Sequence, residues 1–119
     1  MKALDIIKSM PIDEKFKIEI INRYDFLTPS QKFAIDSLAW TTFYDIYDAT
    51  LQSNLELQYQ NVKEGKDHFG EDFYARALKK TDKQMMDEFE KSLNEANISI
   101  AKITIKQIMD EINASKQEA

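Results

Sequence analysis

The chain has 119 residues, a hydrophobic fraction of 43%, a formal charge of −5 and no cysteine. That length suffices for one domain with its own core, and the apolar content excludes a disordered chain. The acidic, well-mixed charge disfavours a nucleic-acid binder, whose backbone affinity comes from clustered Lys and Arg, and without cysteine there are no disulfides, thiol nucleophiles or iron–sulfur clusters.

Two glycines and two prolines leave few places for tight turns, which disfavours a many-stranded sandwich and favours long helices. No apolar run approaches the roughly 20 residues that span a bilayer. The first residues alternate apolar with charged side chains instead of forming the core of a signal peptide. The expectation is a cytoplasmic protein with no membrane and no nucleic-acid partner.

In chain order, Leu4, Ile6, Ile7 and Met10 predict a short amphipathic helix ending before Pro11. Pro11 suits the first turn of a second helix, with Asp13 and Glu14 at its positive end. Phe16, Ile20 and Tyr24 then share one side of that helix, and Ile18 and Ile21 widen the apolar face. Next comes the clearest local signal, Leu27-Thr28-Pro29-Ser30-Gln31. Thr28 caps, Pro29 takes the first helical position, and Gln31 reaches back to the cap. These five residues resemble the Leu-Thr-x-x-Gln motif of Spy-like periplasmic helical chaperones. The likeness covers five residues of 119, capping chemistry alone produces the same spacing, and no family is assigned on it.

From Thr28 a helix is predicted to Glu64. At about 100° per residue, Ser37, Thr41, Asp45, Asp48, Gln52, Glu56 and Lys63 form its water-facing wedge. The first half, with Trp40 and Phe43, is apolar over so wide an arc that it needs cover from two sides; the second half needs one. Lys66 to Gly70 reads as a loop and Glu71 to Lys79 as a short helix. Thr81 with Gln84 repeats the capping-box spacing and marks a new helix start. Met85, Phe89, Leu93, Ala96, Ile100 and Ile103 form a core-facing stripe on that last helix. A second stripe, Ile98, Ala101, Ile105, Ile108 and Ile112, has heptad-like spacing about 140° away. The β-branched run Ile98 to Ile105 admits two readings: a continuing helix that meets a second partner, or a break near Asn97 followed by a strand. Helix is preferred because a strand needs a pairing partner and only Lys15 to Ile21 alternates similarly.

The expected fold is all-α: a long antiparallel helical hairpin, Thr28 to Glu64 against Asp82 to Ala114, helices matched in length, with short N-terminal helices packed over Trp40. It forms a single domain over residues 1–113 with a frayed polar tail at 114–119.

Candidate sites are few. His68, the sole histidine, sits in the loop and reads as a solvated residue, so a Ser-His-Asp triad has little to build on. Asp45 and Asp48 lie one turn apart, too few oxygen ligands for a cation. Arg76, Lys79, Lys80 and Lys83 form the densest basic patch and balance local carboxylates. With two glycines there is no phosphate loop, nucleophile elbow or dinucleotide fingerprint; no catalytic residue, metal or cofactor is expected. Asp36, Trp40, Phe43 and Tyr47 are the candidate pocket, although aromatic residues at helical spacing are more often core. The isoleucine stripe is the candidate interaction surface, and a helical protein–protein interaction module that self-associates or binds another protein is the leading expectation. A small-molecule binder or enzyme using Trp40 with Asp36 or His68 is the alternative, and an acidic surface that masks a basic protein is a third reading.

Overall fold

The computed structural model describes residues 1–118, which form four α-helices and a 3-10 turn with no strand among them. These are α1 (Ala3–Ser9), α2 (Glu14–Arg23), the 3-10 turn (Tyr24–Phe26), α3 (Pro29–Lys63) and α4 (Phe73–Glu118). The all-α architecture is as expected, with α3 and α4 forming the hairpin. The Ile98 to Ile105 run is helix. Residues 114–118, expected as part of a polar tail, continue α4; Ala119 lies outside the described residues.

Local chemistry explains the boundaries. The Asp5 carboxylate accepts the Lys2 backbone N–H at the start of α1. At its end the Lys17 ammonium, from α2, donates to the Lys8 carbonyl at 2.8 Å, placing a cation at the negative end of α1. Pro11 does not open α2. It lies in the connecting turn, and Asp13 caps α2 by accepting the Lys15 N–H, because an aspartate supplies the acceptor that orphan N–H groups need. The buried face of α2 also differs from expectation: Lys17 and Ile18 are buried while Phe16 is exposed.

The Thr28 capping box is present in full. Gln31 N–H donates to Thr28 Oγ1 at 3.2 Å, and Thr28 N–H donates to Gln31 Oε1 at 3.0 Å. Helix α3 closes at Gly65, whose φ of 76° is the left-handed conformation glycine tolerates best. Lys66 N–H then reaches the Asn61 carbonyl and Gly65 N–H the Val62 carbonyl, a Schellman closure.

Thr81 does not begin a helix. The expected short helix and the expected new start are one continuous element, Phe73–Glu118. Thr81 is fully buried, and its hydroxyl donates back to the Ala77 carbonyl at 2.7 Å instead of accepting from an N–H ahead. The same hydroxyl accepts from Asn54 Nδ2 at 2.9 Å across the hairpin. Asn54 and Gln58, which sequence reasoning passed over, are buried at this seam; Gln58 Nε2 donates to the Phe73 carbonyl.

The long helices are not matched. At 1.5 Å per residue α4 runs about 69 Å and α3 about 52 Å. Gln58 is bonded to Phe73, Asn54 to Thr81, Tyr47 to Asp82, and Phe43 packs on Phe89. On that register the first residue of α3 falls level with about Ile103, so the last four turns of α4 pass beyond it.

Toward this open end α1 packs against both long helices. Ile6 and Ile7 are buried against Ala39, itself fully buried, with Trp40, Phe43 and Phe89 around them. The first half of α3 is thus covered by α1 and α4 and the second by α4 alone, although Phe33, Leu38 and Tyr44 stay exposed. Ile6→Ala should cost about 2–4 kcal/mol by urea unfolding, as other large core truncations do. Phe16→Ala should stay within about 0.5 kcal/mol, as exposed sites do; equal losses would mean that α2 packs through Phe16 after all.

Candidate functional site

Beyond the level where α3 begins, every residue of α4 from Thr104 to Lys116 is exposed. This arm spans about 22 Å from Thr104 to Glu118. The core-facing stripe (Leu93, Ala96, Ile100 and Ile103) is half-buried toward the body, and Ser99 donates to Glu14 of α2. The second stripe points away from it. Ile98, Ile105, Ile108 and Ile112 are between 44% and 61% exposed, and Ala101 and Met109 are exposed with them. Spacings of three and four residues keep them on one face, so the structure brings all five predicted interaction residues onto a single apolar ridge.

The four candidate pocket residues do not line one cavity, although the Trp40 and Phe43 rings meet edge to face at 6.0 Å. Asp36 and Trp40 share a surface concavity with Phe33 and Tyr44, where the Trp40 and Tyr44 rings are 6.0 Å apart. The partner of Asp36 is the Tyr24 hydroxyl, which lies 2.9 and 3.1 Å from its two oxygens and is pushed toward higher pKa by that bond. Phe43 turns instead into an apolar cleft of about 160 Å³ with Ile6, Met10, Met85 and Phe89. Tyr47 donates to Asp82 of α4.

His68 is remote from this end, in the loop between α3 and α4, with its side chain 83% exposed. Arg76 organises that loop: Nη1 donates to Asp67 at 2.8 Å and Nη2 to the His68 carbonyl. The same guanidinium holds the Asp67 carboxyl below its ordinary range. Arg76 therefore belongs to the loop's own ion pairing and not to a free basic patch. Asp45 and Asp48 are exposed, and among the described residues no group of three or more metal-ligating side chains is placed to hold an ion. No helix among the described residues is long and apolar enough to cross a membrane.

No family model matches the chain, and no match emerges among curated proteins or solved structures. Its geometry defines it as an all-α helical protein in which α4 extends beyond the other described helices.

The Tyr47–Asp82 bond ties the two long helices and carries a pH signature. The bond, and secondarily desolvation, raise the phenol from 10.0 to about 12. Because the folded value lies above the unfolded one, this contribution is complete below pH 10 and is lost as pH rises toward 12. Tyr47→Phe should flatten the fall in unfolding midpoint over that window. Parallel curves for the two proteins would show that the bond contributes nothing.

Proposed function

We propose that this protein is a non-enzymatic, helical protein–protein interaction module that self-associates through the α4 arm. The observation that carries the reading is the exposed ridge of Ile98, Ala101, Ile105, Ile108 and Ile112, on a face of α4 that no other described element covers. An isoleucine ridge on an uncovered helix face is a poor solvent-facing surface, since helical stability in proteins comes mostly from packing an apolar face. The second copy is favoured as occupant by charge: the molecule carries −5 overall, whereas residues 102–118 hold three lysines and three acidic residues. Two arms therefore meet without net repulsion. Ridge residues and Met109 expose on the order of 500 Å² per copy, so pairing removes close to the ~1,000 Å² at which specific interfaces begin. A cytoplasmic location belongs to the same proposal, and the cysteine-free composition is compatible with it.

Sedimentation across a concentration series should show reversible association, with the free monomer regained in the double variant Ile105→Glu, Ile108→Glu. Both positions are exposed, so helical content should be unchanged. Wild-type protein that stays monomeric up to hundreds of micromolar overturns the proposal.

A further inference from the structure

Resting on the self-association reading, we infer that two copies pair through their arms in antiparallel register, centred between Lys106 and Gln107, to give a two-headed rod. The ridge has the spacing of alternating core positions, Ile98, Ile105 and Ile112 in one set and Ala101, Ile108 and Ser115 in the other. Antiparallel pairing sets one kind of position against the other. Ile105 then faces Ile108 of the second copy, Ala101 faces Ile112, and Ile98 faces Ser115. Each layer away from the centre combines a large side chain with a small one, the alternation that lets facing layers interdigitate. Parallel pairing instead stacks Ala101 on Ala101 between two isoleucine layers, leaving a gap where small meets small.

The chain upstream of the ridge points the same way. The same face of α4 continues through Asn94, Lys91 and Asp87, all exposed. A parallel in-register pair would run on into these positions and set Lys91 against Lys91 and Asp87 against Asp87, and like charges directly opposed are unfavourable. Antiparallel arms overlap only from about Ile98 to Ser115, and each helix leaves the other before reaching its own charged segment. Sterically the arrangement is open, because α1 and α2 pack on the opposite side of α4 from the ridge.

The shape of the assembly follows. Each molecule is 76 Å long, and the two α4 helices overlap over about 27 Å, from Ile98 to Ser115. The pair is then a rod of roughly 120 Å, with the body formed by α1, α2 and α3 repeated at its two ends. Whatever surface the body offers, such as the concavity beside Trp40, is displayed twice at a fixed separation.

The absence of native cysteine makes the test direct. Ala101→Cys and Ile112→Cys are prepared separately, oxidised alone and as an equimolar mixture, and resolved without reductant, with sedimentation confirming that each variant still associates. Antiparallel pairing predicts a disulfide-linked dimer as the main product of the mixture and only traces from either variant alone, since like positions lie about 16 Å apart along the rod and a disulfide needs Cα atoms within about 7 Å. Solution scattering of the wild type should give a maximum dimension near 120 Å. Efficient linkage of Ala101→Cys to itself, with a maximum dimension near that of one copy, overturns the antiparallel register while leaving self-association standing. Dimers that link in neither arrangement overturn the register as well, and a monomer by sedimentation removes both readings.

Discussion

The packing of Ile6 and Ile7 against Ala39 is the interaction on which the rest of this fold depends. Two long helices joined by a short loop make a narrow hairpin, and a narrow hairpin buries little. Near the loop α3 and α4 pair directly, through Leu51, Asn54 and Gln58 against the Phe73–Thr81 segment. Toward the open end α1 adds a third helix and α2 contributes Ile20, and only there does a core with more than two contributors form. Ala39 makes this approach close because it has no side chain beyond Cβ, so the isoleucines of α1 fill the space a larger residue would occupy. Seven residues are too few for a helix to persist alone in water. What holds α1 is its two isoleucines and the Lys17 ammonium at its C-terminal carbonyls.

Polar groups complete the pairing where apolar ones are scarce. Thr81 and Asn54 are buried on facing helices and satisfy one another, with the Thr81 proton directed to Ala77. A buried amide left without its partner costs more than the bond yields when made. A slip of α3 along α4 therefore loses more at this seam than at an apolar one, which gives the hairpin a defined register.

How legible this was depended on whether a residue's chemistry has one local solution or several. The Thr28 cap could be read because Thr, Pro and Gln at successive helix-start positions fit one arrangement, and that arrangement is present. Thr81 with Gln84 has the same spacing, yet a threonine hydroxyl can equally serve its own helix by bonding four residues back. The facing Asn54 decided between them, and local sequence carries no trace of it. Asn54 and Gln58 escaped notice for a related reason: amides normally mark the wet side of a helix, and only a partner on another helix makes their burial affordable. Periodicity places Phe16 toward the core, but the anchoring of Lys17 to α1 turns α2 so that Ile18 faces inward and Phe16 outward. The two faces of α4 were legible because each has its own unbroken run of three- and four-residue intervals. The mismatch in helix length was not, because it followed from misplacing the start of α4.

That mismatch links fold to function. A compact domain of this length has a radius of gyration of about 13–14 Å, whereas this chain reaches 20.6 Å. A rod of that kind has more surface per residue than its composition, 43% hydrophobic, can cover with polar groups. Scattered exposed side chains such as Phe26 and Leu38 need no special account. The α4 ridge differs because it is contiguous, built mostly of isoleucine, and runs on past the level where α3 begins. The candidate pocket residues, by contrast, divide among a surface concavity, an apolar cleft and an interhelical bond. Chemistry on a substrate requires groups that converge on one point, whereas recognition by another helix requires only a row, and a row is what the arm presents.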